Sequence, residues 1–316
     1  MSSPSNGRQA VSGSPGSLRR STPRYGEKAV QVLLVAAALV SVATTVGIVI
    51  ALIPPAAKFF GEVNIGGFLT GTEWAPLFSP ASFGVVPLVT GTLMVTLIAL
   101  VVAVPLGLGA AIYLSEYAGS KVRKTFKPVL EVLAGIPTVV YGFFALKFIT
   151  PLLQDIWPVG DGPQIFNALT AGFVMGVMII PTIASLAEDS MNSVPRALRD
   201  GAFALGSSRM QVSTRVVFPA ALSGIVAAVV LGISRAIGET MIVAIAAGGR
   251  PNLSFDPLEG MQTMTAFIAA AGIGDLPTGS IGYQTIFAVG SLLFVMTLVM
   301  NLVSIRLVRK YREVYE

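Results

Sequence analysis

Asp200-Gly-Ala-Phe-Ala-Leu-Gly206, followed after nine residues by Val216-Val-Phe-Pro219, lies between two apolar runs long enough to cross a membrane. Pro195 can open a helix ahead of it, and Ala197 to Leu205 is a good helix former. Gly206 then stops the helix and permits a turn. The stretch reads as a short helix held outside the bilayer between two spans. The plainer alternative is an amphipathic loop helix lying on the membrane surface.

Composition agrees with a membrane chain. Mean hydropathy is +0.77, 53% of residues are apolar and 12% are charged, against about 25% charged in a soluble domain. With no Cys and no His, disulfides, thiolate metal sites and the commonest general base are excluded. Residues 1–28 are rich in Ser, Pro, Gly and Arg and read as a disordered tail. Ala29 to Ala57 carries no charge and is too long for a signal peptide, so it is expected to be an uncleaved transmembrane helix. Five further spans are expected at about 86–113, 129–153, 167–187, 217–247 and 283–305. The expected fold is all-α and integral to the membrane, with six transmembrane helices and both termini on one side.

The basic residues choose that side. Arg8, Arg19, Arg20, Arg24 and Lys28 lie in the tail, and Lys121, Arg123, Lys124 and Lys127 follow the second span. Arg196, Arg199, Arg209 and Arg215 follow the fourth, and Arg306, Arg309, Lys310 and Arg312 follow the sixth. The opposite face holds only Lys58 and Arg250, while Lys147 and Arg235 lie within spans. The positive-inside rule therefore places both termini in the cytoplasm. The distribution follows membrane topology and gives no reason to expect a nucleic-acid partner. Glu62, Glu73, Asp155, Asp161, Asp256, Glu259 and Asp275 fall on the outer face, where they can meet an extracytoplasmic partner or simply be solvated.

The spacing of the opening stretch resembles E-A-A-x3-G-x9-I-x-L-P, the cytoplasmic signature of bacterial ATP-binding-cassette importer permeases. Gly206 and Pro219 fall on its most diagnostic positions, while Asp200 and Gly201 replace its Glu and first Ala by residues of similar character. The resemblance implies a MetI-like permease over residues 70–312 with a coupling loop at 188–218. Asp200, Gly201, Ala202, Gly206 and Pro219 would carry the contact with a separate ATPase. The Walker pattern G-x4-G-K-[ST] is absent from the chain, so ATP would bind elsewhere and the chain would not itself be an enzyme. No cofactor or metal site is expected.

Two charges lie in the fifth span, in Ser234-Arg-Ala-Ile-Gly-Glu-Thr240. A charge at mid-membrane costs roughly 2.5–3.5 kcal/mol even on the lenient insertion scale, so both should face protein or water. Arg235 and Glu239 are four residues apart and are therefore expected to share a helix face. A guanidinium fork suits a tetrahedral oxyanion; a purely structural ion pair serves the same residues equally well. Gly172 and Gly176 form a small-x3-small face on the fourth span. Pro137 and Gly142 are placed to break or bend the third.

Arg235-Ala-Ile-Gly-Glu-Thr-Met241 resembles the phosphate, sulfate and molybdate permeases, and within them the PstC type of phosphate subunit. Ala134-Gly-Ile-Pro-Thr-Val-Val-Tyr-Gly142 and Phe83-Gly-Val-Val-Pro-Leu-Val-Thr-Gly-Thr92 resemble segments of the same group. This implies a phosphate importer subunit with Arg235, Glu239 and Thr240 on the substrate pathway. Its implied partners are a homologous permease PstA, a dimer of the ATPase PstB, an extracytoplasmic phosphate-binding protein PstS, inorganic phosphate and the lipid bilayer. A sulfate or molybdate permease of the same design, and a stand-alone anion channel or ion-coupled carrier, are the competing readings.

Overall fold

The computed structural model describes residues 25–158 and 162–310, and the chain divides into two units, 1–50 and 51–316. The tail expected at 1–28 lies outside the described residues up to residue 24; from Tyr25 the chain is already helical. That helix, α1 (Tyr25–Glu62), begins in the first unit and ends in the second. In the first unit Val32, Leu33, Leu34, Leu39 and Val40 are exposed, as on a helix apolar all round and surrounded by lipid.

The second unit continues with α2 (Ile65–Thr70) and a two-stranded antiparallel hairpin, β1 (Trp74–Ala75) and β2 (Ser82–Phe83). Next come α3 (Val86–Ile112), running into a π turn at Tyr113–Tyr117, and α4 (Ser120–Ala134). The third span is α5 (Thr138–Phe144), a π turn at Ala145–Ile149, and α6 (Thr150–Ile156). The fourth is α7 (Ala168–Asn192). The loop after it carries α8 (Arg196–Ala204) and α9 (Arg209–Val212), then a π turn at Ser213–Val217 and α10 (Phe218–Ala220). The fifth span is α11 (Leu222–Ile237), followed after a break by a helical stretch ending in a π turn at Val243–Ala247. Last are α12 (Met264–Ile273) and α13 (Ile281–Lys310).

Five helices are long and apolar enough to cross a membrane, and a bent pair, Arg209–Ala220 with Leu222–Ile237, makes the sixth. The pair is bent by 73° at Ala221. The expected span 129–153 begins instead at Thr138. Residues 129–134 are the last turns of α4, an amphipathic helix with Lys121, Arg123, Lys124, Lys127 and Glu131 along it and no buried residue. Gly135-Ile136-Pro137 then ends it, because proline cannot donate to a continuing helix. The expected span 217–247 is likewise not one helix, being bent at Ala221 and broken at Gly238–Thr240. The apolar helix α12 lies in a segment read from sequence only as a loop.

Helix α7 is the axis of the second unit. Met175, Met178, Ile179 and Ile183 are fully buried along it, against Val95, Ala99 and Ala103 of α3 and Ala236 of α11. A Cβ on Gly172 would come 2.7 Å from the Ile98 side chain and 3.0 Å from the Val95 carbonyl oxygen; one on Gly176 would come 2.8 Å from the Ala99 carbonyl oxygen. The two glycines let the α3 and α7 backbones approach closely, which drives helix association where lipid removes the hydrophobic difference. At one end of the unit Phe59, Phe68, Trp74, Phe83 and Phe267 meet edge to face, with ring centroids 5.0–6.2 Å apart, the arrangement ring quadrupoles prefer.

Gly176→Leu should therefore destabilise the protein by roughly 1–3 kcal/mol, because a backbone oxygen cannot move aside as a side chain can. The change should appear as a lower unfolding temperature in detergent and faster proteolysis. The same substitution at Gly47, whose Cβ would meet nothing within 4 Å, should leave both unchanged.

Candidate functional site

The fifth span decides where the intramembrane charges go. Helix α11 ends at Ile237, with Gly238 as its C-cap. Glu239 therefore lies outside the helix that carries Arg235, and the two are not within ion-pair distance. The pairing expected from their four-residue spacing fails because that spacing places side chains on one face only if the helix continues. Glu239 Oε1 instead accepts from the Met241 amide at 3.0 Å and the Ile242 amide at 3.2 Å. It caps the second half of the span, whose first amides have no partner within their own helix. Thr265 Oγ1 donates to the Glu239 carbonyl at 2.6 Å, so the break is held from both sides. Glu239 is buried, and Thr240 is half-buried with its hydroxyl 3.3 Å from the Gly238 carbonyl.

Arg235 is left exposed and without a carboxylate. Its one polar contact among the described residues runs from Nη2 to Met178 Sδ at 3.8 Å. Across the break, Gly142 of α5 is buried; a Cβ there would meet Ile245 at 3.0 Å and the Met241 carbonyl at 3.3 Å. Gly142 thus lets the third span close on the second half of the fifth. The arrangement offers an uncompensated guanidinium beside a capped helix break, suited to a passing oxyanion.

The second constellation surrounds α8. Gly206 stands at φ +82 and completes the helix stop: its amide donates to the Phe203 carbonyl at 2.9 Å and the Ser207 amide to that of Ala202 at 3.1 Å. These are the paired bonds of a Schellman ending. Ser208 then opens α9 with a capping box to Gln211, the Ser-x-x-Gln pattern of a helix start. Asp200, Gly201, Gly206 and Pro219 are exposed and Ala202 is half-buried. Leu205 and Met210 are among the exposed apolar residues beside them.

Sequence reasoning missed the residues that hold this end together. Arg199 Nη1 donates to the Val194 carbonyl at 2.6 Å, and Nη2 to the Met191 carbonyl at 2.7 Å and Glu116 Oε1 at 3.1 Å. Glu188, fully buried on α7, takes Lys127 at 3.0 Å and Asn192 at 2.5 Å and also pairs with Arg123. Lys127 pairs with Asp189 as well. That neighbouring carboxylate, more than any other group, holds the Lys127 ammonium above its ordinary range, against the opposing effect of burial. A cleft of about 440 Å³ opens among Glu116, Arg123, Arg196, Arg199, Asp200 and Arg209. The only sequence signal was a pair of acids, Glu188-Asp189, on a markedly basic face.

Residues 103–312 match the family described as binding-protein-dependent transport system inner membrane component. The probable ABC transporter permease protein YqgH of Bacillus subtilis is 36% identical over 270 residues, 84% of this chain and 86% of that protein. The phosphate transport system permease protein PstC of Xylella fastidiosa is 34% identical over 264 residues, 77% of this chain and 80% of its own length. PstC 1 of Mycobacterium tuberculosis is 35% identical over 287 residues, 79% of this chain and 84% of that protein. Among solved structures, a chain of a bacterial alginate ABC transporter aligns with a TM-score of 0.62 at 16% identity, covering 91% of this chain and 98% of that one. A chain of the MetNI methionine ABC transporter gives 0.52 at 20% identity, covering 73% and 95%. At such identities these neighbours support the fold alone, a MetI-like permease. The chain belongs to the family of binding-protein-dependent transport system inner membrane components, and its extended similarity to PstC permeases places it with them.

Proposed function

We propose that this chain is the PstC-type subunit of an ATP-driven importer that carries inorganic phosphate across the inner membrane. The observation that carries the reading is Arg235: an arginine within a span, exposed, with no carboxylate in ion-pair reach among the described residues. Such a charge is costly unless it faces water or an anion, and a guanidinium fork matches two phosphate oxygens. Glu239, already accepting two amides, keeps the break rigid and leaves Arg235 free for the substrate. A single modest contact suits transport, since a tight site would not release. The similarity to named phosphate permeases supports phosphate over other oxyanions.

The termini are read as cytoplasmic, because α4 and the α8 loop carry eight of the sixteen described Lys and Arg. The partners proposed are the homologous permease PstA, a PstB ATPase dimer and the binding protein PstS. PstS would dock on the outer loops. Closure of the ATPase would push α8 through the exposed Asp200–Gly206 surface. The two permeases would then open outward and close again after hydrolysis, the alternation that directional transport requires.

Labelled-phosphate uptake per unit of assembled complex tests the pathway. Arg235→Gln should reduce uptake by at least about tenfold, the size of one lost charge-assisted contact. Glu239→Gln keeps a cap acceptor and should fold normally, whereas Glu239→Ala should lower stability by about 1 kcal/mol. The double change Arg235→Gln with Glu239→Gln should stay as inactive as the Arg235 single, because no ion pair exists to rebalance; recovery in the double would overturn the assignment.

Gly206→Val tests the lever. The substitution meets no neighbouring atom within 4 Å but forces a β-branched residue to positive φ, which costs about 1–2 kcal/mol locally. Insertion should be normal and uptake lost. Uptake at the normal rate would remove the coupling role from this loop.

A further inference from the structure

We infer that Arg199 is the positioning residue of the coupling lever, and that Glu116 on the second span is its anchor. The inference rests on reading α8 as the lever. A lever works only if its near end is fixed to what it must move. Helix α8 is short, exposed on most of its surface and has no buried residue; half-buried Ala202 is its one residue packed against the apolar cluster at this end, so apolar packing fixes it only weakly. Its N-cap, Pro195, makes no side-chain cap hydrogen bond. Arg199 supplies the fixing instead. From the middle of α8 its fork reaches back to the Met191 and Val194 carbonyls at the end of the fourth span, and across to Glu116.

Glu116 is 83 residues away in sequence and lies in the π turn that ends the second span. Ser115 Oγ donates to the same Glu116 oxygen at 2.8 Å, which fixes the acceptor. The Arg199 and Glu116 side chains are 16% and 9% exposed, so water screens the pair only partly. One guanidinium therefore joins the lever to two spans that themselves touch closely through Gly172 and Gly176. A push on α8 has a stiff route to both. Lysine cannot replace it, because one ammonium cannot reproduce a planar fork that serves two carbonyls and a carboxylate at fixed angles.

The test uses the full complex in proteoliposomes and reads phosphate imported per ATP hydrolysed, at equal amounts of assembled complex. Arg199→Gln and Arg199→Lys should both lower that ratio by at least about tenfold, the scale of losing a charge-assisted bond, with ATP hydrolysis continuing. Glu116→Gln keeps an acceptor but loses the charge, so a smaller fall of about two- to fivefold is expected. An unchanged ratio in whichever of these variants assemble overturns the inference. So does a parallel loss of uptake and hydrolysis, or full recovery in Arg199→Lys, since either outcome describes a residue that only supports folding. Gly206→Val in the same preparation separates the two claims. If it transports normally, the lever reading itself has failed; if it is inactive while the Arg199 variants keep their ratio, only the positioning role has.

Discussion

Peptide groups released inside a membrane must find partners, because no water is there to meet them and each unmet group costs several kcal/mol. The fifth span is broken at Gly238–Thr240, and the break is possible because Glu239 meets the amides of Met241 and Ile242 while Thr265 meets the Glu239 carbonyl. The arrangement around Arg235 follows from this. A carboxylate used as a cap does not neutralise Arg235, so the guanidinium stands free. The second half-span, turned by the break, is the surface on which Gly142 of the third span closes.

The opposite demand holds at the end that carries α8. There the charges are numerous, partly buried and tied to one another: Glu188 with Arg123 and Lys127, Asp189 with Lys127, Glu116 with Arg199. These pairs join α4, the end of α7, the end of the second span and α8. Burial of Glu188 without its cations would be strongly unfavourable, so the pairs hold α4 to the end of α7. A network of directional bonds suits the force-transmitting role proposed for α8, whereas an apolar contact would allow sliding.

Between these ends the contact of α3 with α7 is made by small residues. Close backbone approach gives van der Waals packing that lipid cannot match. It also holds the second and fourth spans closely together, which is what the proposed lever, anchored on both of them, requires.

The sequence by itself determined the number of spans, the positions of α7 and α8, and the helix stop at Gly206. Each of these depends on local composition: long apolar runs, helix formers, and a glycine where the backbone must turn left-handed. It also singled out Arg235 and Glu239, because a charge in an apolar run is conspicuous. Their relation was not legible. Four residues of spacing implies one face only on an unbroken helix, and the break here is held by the Thr265 contact to Glu239, 26 residues away. The end of α4 was misread for a related reason. Residues 129–134 are apolar enough to pass for membrane, and only the folded position of Glu188 and Asp189 shows why Lys127, on the same helix, stays with α7. The Arg199–Glu116 anchor was hidden altogether. Tertiary structure alone brings together charges 83 residues apart, because the packing of α3 against α7 decides which polar ends become neighbours.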